Sequence, residues 1–162
     1  MELVDAWSEF NVAMVGATAA LAGLVIVAAS VNIGDIIKEA SLTARLAAGI
    51  AGLVLALAGS AIGLIPDLGR PAYGIAMILL ALGAGAFQVQ ASRHIFQNRH
   101  PQNRLRWGKA AVGFIAPLAY LVGGWLLAAG EGQGLVWFAV GSITAIVAAL
   151  LVSWIVLVEV LR

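Results

Sequence analysis

Residues 10–33 read FNVAMVGATAALAGLVIVAASVNI, a stretch of 24 residues without Asp, Glu, Lys or Arg. A helix needs about 20 predominantly apolar residues to cross the roughly 30 Å hydrocarbon core of a bilayer, and this stretch is long enough. The acidic segment MELVDAWSE precedes it, whereas a cleavable signal peptide begins with a basic region. The sequence therefore predicts that residues 10–33 form a retained membrane-spanning helix.

Four further stretches have the same length and apolar character. They are Leu46–Ile65, Ala72–Ala91, Ala110–Ala129 and Leu135–Val158. All nine basic and all eight acidic residues of the chain lie outside the five stretches, which is typical of membrane spans and not of a soluble surface. The sequence predicts an all-α membrane protein, a bundle of five transmembrane helices that forms a single domain over residues 1–162.

The connections between the spans indicate how the bundle is oriented. Two of them are short and rich in turn residues, with IPDLGRP at residues 65–71 and GEGQG at residues 130–134, so the spans that they join are expected to be antiparallel. Arg70 is the only Lys or Arg on the N-terminal side of the predicted bundle, and the other eight lie on the opposite side. The positive-inside rule then predicts an N-terminus outside and a C-terminus in the cytoplasm.

Small residues form stripes along several of the spans. The second span carries such a stripe with the spacing 3, 4, 3, 4: Gly49, Gly52, Ala56, Gly59 and Gly63. The first span carries another: Gly16, Ala20, Gly23 and Ser30. Lipid gives helices little hydrophobic drive to associate, so close association relies on small residues that let the backbones touch. Packing within one monomer explains such stripes, but a stripe on nearly every span also favours a homo-oligomer.

A set of neutral polar residues lies within the spans. Asn11, Thr18 and Asn32 recur at multiples of seven residues and share one face of the first span, and Gln88 lies near the end of the third span. An amide in lipid costs free energy unless it has a partner or water. These residues are therefore expected either to hydrogen-bond between helices or to line a pore.

Residues with catalytic or metal-binding chemistry are missing from the spans. They contain no carboxylate, Lys or His, and the whole chain contains no Cys. A nucleophile with its base, a proton relay and a clustered metal site all require such groups. We therefore expect a protein that is not an enzyme and that has no catalytic residue, cofactor or metal.

The longest polar segment, RHIFQNRHPQNRLRWGK at residues 93–109, contains no acidic residue. Its five cations are Arg93, Arg99, Arg104, Arg106 and Lys109. Cations beside a membrane attract anionic headgroups by about 1 kcal/mol per charge. We expect this segment to contact anionic lipids at the cytoplasmic face of the bilayer, and we expect no nucleic-acid partner because the chain has no basic domain.

The first span also carries a family resemblance. Residues 16–21 read GATAAL and are followed by Gly23, Ser30 and Asn32. This stretch resembles the opening helix of a group of small bacterial multi-pass membrane proteins, some of which are labelled modulator of the FtsH protease. The resemblance implies a location in the bacterial inner membrane and a membrane protein as partner.

Two functions remain open on these observations. The first is a non-enzymatic membrane protein that acts through helix–helix association, as a homo-oligomer or as an accessory or modulatory subunit. The second is an oligomeric channel for an ion or a small neutral solute, lined by neutral polar residues, because pores can use amides, hydroxyls and carbonyls in place of charges.

Overall fold

The structure, a computed structural model, describes residues 6–97 and 106–160, without the side chains of residues 106–109, 156, 157, 159 and 160. The described part is helical and contains no strand. Its helices are α1 Ser8–Val31, α2 Ile33–Ile36, α3 Ala40–Ile62, α4 Arg70–Gln97, α5 Arg106–Ala128 and α6 Gly134–Val160. All but α2 contain a stretch long and apolar enough to cross a membrane, which confirms the predicted all-α fold with five candidate spans.

Local sequence explains where α5 ends. At α5 the chain turns at Gly130, whose φ of 92° is open to glycine without strain. The backbone N–H of Glu131 donates to Leu126 O at 2.9 Å and that of Gly130 donates to Leu127 O at 3.0 Å, the two bonds of a Schellman motif. Arg70 at the start of α4 donates to Gly130 O at 3.3 Å, and this bond links the turn between α3 and α4 to the turn between α5 and α6.

Four of the long helices form a closed ring and the fifth lies outside it. Around the ring, α3 packs against α4, α4 against α5, α5 against α6 and α6 against α3, while α1 packs mainly on the outside of α3. Neighbours run antiparallel, because the end of α3 at Gly63 meets Tyr73 near the start of α4, and Gly49 near the start of α3 meets Val152 near the end of α6. We call the end where α1 begins the amino-terminal end of the bundle and the end where α6 ends the carboxyl-terminal end.

Aromatic side chains fill the ring towards its amino-terminal end. Tyr120 stacks on Phe138 with ring centroids 5.4 Å apart, and Tyr73 meets Phe138 edge-on at 5.3 Å. The Tyr73 hydroxyl donates to Gly59 O at 3.0 Å. Ser142 gives its single hydroxyl proton to Phe138 O at 2.9 Å, so the Tyr120 hydroxyl is the donor to Ser142 Oγ at 2.6 Å. These bonds satisfy the phenol groups and lock the aromatic cluster in place.

Candidate functional site

The predicted polar set of the first span, Asn11, Thr18 and Asn32, lies on the side of α1 that faces the bundle. Asn11 and Thr18 are buried together with Val25, and Asn32 ends the helix half-buried. The Thr18 hydroxyl donates to Met14 O at 2.5 Å and the Asn32 amide donates to Ala28 O at 3.1 Å, both within α1 itself. Among the residues that the structure describes, these two side chains therefore bond within their own helix and not to a neighbouring one.

Asn11 differs from the other two polar residues. Its Nδ2 is buried and has no hydrogen-bond partner among the residues that the structure describes. A Cβ added at Gly63 would lie 2.7 Å from this atom and 2.6 Å from the Tyr73 hydroxyl oxygen. The glycine therefore lets the polar ends of Asn11 and Tyr73 come close to the backbone of α3.

Gln88 lies apart from the polar residues of α1. It is on α4 in the carboxyl-terminal half of the ring, buried at 8% exposure, and its side-chain amide packs directly on the backbone of Gly113 in α5. The structure thus keeps Asn11 and Thr18 on the α1–α3 contact and Gln88 inside the four-helix ring. A lining shared by all four predicted polar residues does not form within one copy of the chain.

The small-residue stripe of α3 is filled by neighbouring helices. Its members at 49, 52, 59 and 63 each have a contact at the position of an added Cβ: Val152 at Gly49, Ala145 at Gly52, Tyr120 and Met77 at Gly59, and Tyr73 and Asn11 at Gly63. Ala56, in the middle of the stripe, is 0% exposed. Close packing inside a single copy of the chain therefore uses the whole stripe.

The stripe of α1 is open. Its residues Gly16, Ala20, Gly23 and Ser30 are exposed, and nothing lies within 4 Å of a Cβ added at Gly16 or Gly23. Val12 and Val27 continue this surface at 58% and 60% exposure. We call Val12, Gly16, Ala20, Gly23 and Val27 the outer face of α1. It is the side of the helix opposite Asn11, Thr18 and Val25, because these three are buried against the ring.

The ring surrounds a partly open cavity of about 320 Å³ in its carboxyl-terminal half. All four helices line it, mostly with Ala, Gly, Val, Leu and Ile side chains. The aromatic cluster around Tyr120 and Phe138 fills the ring between this cavity and the amino-terminal end. The cavity is therefore a pocket with one closed end.

Two side chains with polar groups, Arg45 and Gln88, line this mainly apolar cavity. Arg45 is 8% exposed, although the sequence places it just before an apolar span and the positive-inside count treats it as a flanking charge. The structure starts α3 at Ala40, so Arg45 lies more than one turn inside the helix and its side chain reaches the ring interior. The helix-compatible sequence ASLTAR ahead of the span is the signal that could have indicated this position.

The basic segment is only partly described. Arg93 is exposed on α4. Arg99 and Arg104 lie outside the described residues, as do the side chains of Arg106 and Lys109. Within the described ranges no group of three or more His, Cys, Asp or Glu residues could hold a metal ion.

Comparison of the chain with protein-family models, with curated proteins and with solved structures finds no match.

Proposed function

We propose that this protein is a non-enzymatic membrane bundle that works by helix–helix association through the outer face of α1. The associating helix belongs to a second copy of the chain or to another membrane protein, for which this chain is an accessory subunit. The observation that carries the proposal is the open space at Gly16 and Gly23, because every glycine of the α3 stripe is already in contact with a neighbouring helix.

The packing of α1 is consistent with this role. In its most apolar stretch 11% of the residues are buried, against 28% to 44% in the other four long helices. A helix anchored on one side by Asn11, Thr18 and Val25 keeps the opposite side available to a partner. Small residues there let a second backbone come close enough for van der Waals contact, the main source of cohesion between helices in lipid.

The open glycines of α4 lack this surface. Gly83 and Gly85 on α4 also have nothing within 4 Å of an added Cβ. One helical turn before and after Gly83 lie Leu79 and Phe87, which are 65% and 47% exposed. Large side chains on both sides keep another backbone away, so we assign association to α1 and use Gly83 as a control.

The association test measures the oligomeric state of the full chain in liposomes over a range of protein-to-lipid ratios, by single-molecule photobleaching. The double variant Gly16→Leu, Gly23→Leu is compared with Gly83→Leu and with the unaltered chain. We expect oligomers in the unaltered chain and in Gly83→Leu, and their loss in the double variant. A monomer at every density with no co-purifying membrane protein contradicts the proposal, and oligomers that survive the double variant place the contact elsewhere.

We further propose that the amino-terminal end faces outwards and the carboxyl-terminal end faces the cytoplasm of a bacterial inner membrane, where the basic segment meets anionic lipids. The support is the distribution of eight Lys and Arg residues on one side against one on the other. Because the chain contains no Cys, single cysteines report orientation cleanly. Glu131→Cys and Glu39→Cys occupy exposed positions at opposite ends, and an impermeant maleimide added to intact cells is expected to label only the first.

A solute channel is the second candidate, and the cavity inside the ring is the observation that favours it. Conduction through one bundle requires the Tyr120–Ser142 hydrogen bond and the aromatic cluster around it to open. Tyr120→Ala is then expected to raise solute or ion flux into liposomes above that of the unaltered chain. Equal and negligible flux from both proteins removes this candidate.

A further inference from the structure

The cavity in the ring is divided into a polar mouth and an apolar interior. Arg45 on α3 and Ile95 on α4 line the cavity near the carboxyl-terminal end of the bundle. Gln88 lies further inside, and Gly52 and Ala145 lie further inside again. From Arg45 to Gly52 the wall of α3 rises by about 10 Å, at 1.5 Å per residue. The cation of Arg45 therefore lies at the carboxyl-terminal mouth of the cavity, and uncharged, mostly apolar residues line the space beyond it.

We propose that this cavity binds a single-chain anionic amphiphile, with its carboxylate or phosphate head at Arg45 and its apolar chain directed towards Gly52 and Ala145. A guanidinium presents five N–H donors in a planar fork that matches both kinds of oxyanion, so Arg45 can meet the head in addition to the partner that it already has within the chain. At 8% exposure such a contact is largely shielded from water, which strengthens a charge-assisted hydrogen bond. The volume of about 320 Å³ lies within the range of small-molecule sites.

Two further groups that line the cavity can form hydrogen bonds with the head of the amphiphile. Gln88 supplies an amide that can donate and accept. Pro117 has no N–H, so the carbonyl of Gly113, four residues earlier on α5, lacks its usual helical donor. Gly113 and Pro117 both line the cavity, so this wall offers an acceptor to a protonated oxygen of the ligand.

The cavity can hold part of a long chain without enclosing all of it. Val112 on α5 and Leu151 on α6 line the cavity and are 41% and 51% exposed, so the wall is incomplete where these helices meet. The remainder of an acyl chain extends there into the bilayer. The bound amphiphile would thus keep the orientation of the lipids in the leaflet on the carboxyl-terminal side.

The test uses the full chain in lipid nanodiscs and a palmitate that carries a photoreactive diazirine near the end of its chain. Labelled residues are mapped by mass spectrometry, and unlabelled palmitate, lysophosphatidate or hexadecanol is added as competitor. The first two competitors separate a carboxylate head from a phosphate head, and the alcohol has the chain without the charge. We expect label on cavity-lining residues of α5 and α6 that an anionic competitor removes and hexadecanol does not.

Matched variants separate the pocket from the lipid-facing surface. Arg45→Gln is expected to weaken competition by the anionic amphiphile about tenfold or more, because a hydrogen bond to a charged group is lost. Arg93→Gln, an exposed cation on the same side, is expected to leave it unchanged. Ala148→Phe fills the cavity and is expected to abolish the label, whereas Ala111→Phe on the exposed face of α5 is not.

Several outcomes would overturn the proposal. Label spread evenly over lipid-facing residues, or equal competition by hexadecanol, shows general partition into lipid and no site. Equal loss in Arg45→Gln and Arg93→Gln shows surface attraction alone. If Ala148→Phe does not fold, the effect of palmitate on the unfolding temperature provides the test. An increase in the unaltered chain but not in Arg45→Gln supports the site, and an equal increase in both contradicts it.

Discussion

The stripe of small residues on α3 and the outer face of α1 look alike in sequence and differ in surroundings. Both place glycine and alanine three or four residues apart on one side of a helix. On α3 the added Cβ positions are within 4 Å of side chains of α1, α4, α5 and α6, while at Gly16 and Gly23 on α1 nothing lies within that distance. A small-residue spacing therefore marks a surface that can pack closely, and the tertiary fold determines whether that surface is already covered.

The largest effect is expected when a larger side chain is placed in the small-residue stripe of α3, which is already packed against neighbouring helices. Gly63→Leu would drive a side chain into the Tyr73 hydroxyl and the Asn11 amide, at 2.6 and 2.7 Å from the first added carbon. We expect a loss of about 3 kcal/mol or more in the free energy of unfolding, because overpacking displaces two buried polar groups. Unfolding in mixed detergent micelles, followed by tryptophan fluorescence, measures it. Gly16→Leu is the control, and an equal loss there would refute the contrast between the two stripes.

The two sides of α1 give the next comparison. Thr18 is 0% exposed and packs towards the ring, whereas Ala20, two residues later, is exposed. Thr18→Leu is expected to cost about 2 kcal/mol of folding free energy by overpacking. Ala20→Leu is expected to leave unfolding unchanged and to reduce association in liposomes. If both variants unfold alike and associate alike, α1 has no distinct inner and outer sides.

Within the small-residue stripe of α3, the expected loss in the free energy of unfolding depends on the space available at each glycine. A Cβ at Gly59 lies 3.0 Å from the Tyr120 ring and 3.1 Å from Met77 Sδ, and the methionine can yield by changing its rotamer. We expect Gly59→Ala to lower the free energy of unfolding by about 1 kcal/mol. At Gly52 the nearest atom is 3.9 Å away, so Gly52→Ala is expected to be neutral. The same unfolding assay ranks them, and a reversed order would show that these distances do not govern the packing.

The smallest effect is expected from removing a hydroxyl. Tyr120→Phe loses the 2.6 Å bond to Ser142 between α5 and α6, and side-chain hydrogen bonds in membrane bundles contribute about 0.6 kcal/mol on average. Ser30→Ala removes an exposed hydroxyl that bonds Val27 O within α1, and we expect no change in unfolding. Neither substitution is expected to alter association. A larger cost for Ser30→Ala would indicate that α1 is held by contacts at its open surface.

The sequence was sufficient for the helices and insufficient for several of their contacts. Charge-free runs predicted five spans, and the structure places a long helix over each, although α3 begins at Ala40, before the predicted Leu46. The earlier start of α3 explains the position of Arg45. The sequence places this residue outside the span as a flanking charge, whereas in the structure it lies within the helix and lines the cavity. The sequence left open whether Gln88 bonds between helices or lines a pore, and only the fold places it in the ring cavity against Gly113.

By itself, the sequence predicted five helices long and apolar enough to cross a membrane, since about 20 successive uncharged residues satisfy their backbone polarity in hydrocarbon only by forming a helix. It also determined which faces can approach another backbone closely. The tertiary structure alone decided that α1 lies outside a four-helix ring, that Gly16 and Gly23 stay uncovered and that Arg45 lines the cavity of the ring. The physical reason is that helix formation is a local balance of hydrogen bonds and hydropathy, whereas helix packing depends on shape complementarity between segments far apart in the chain.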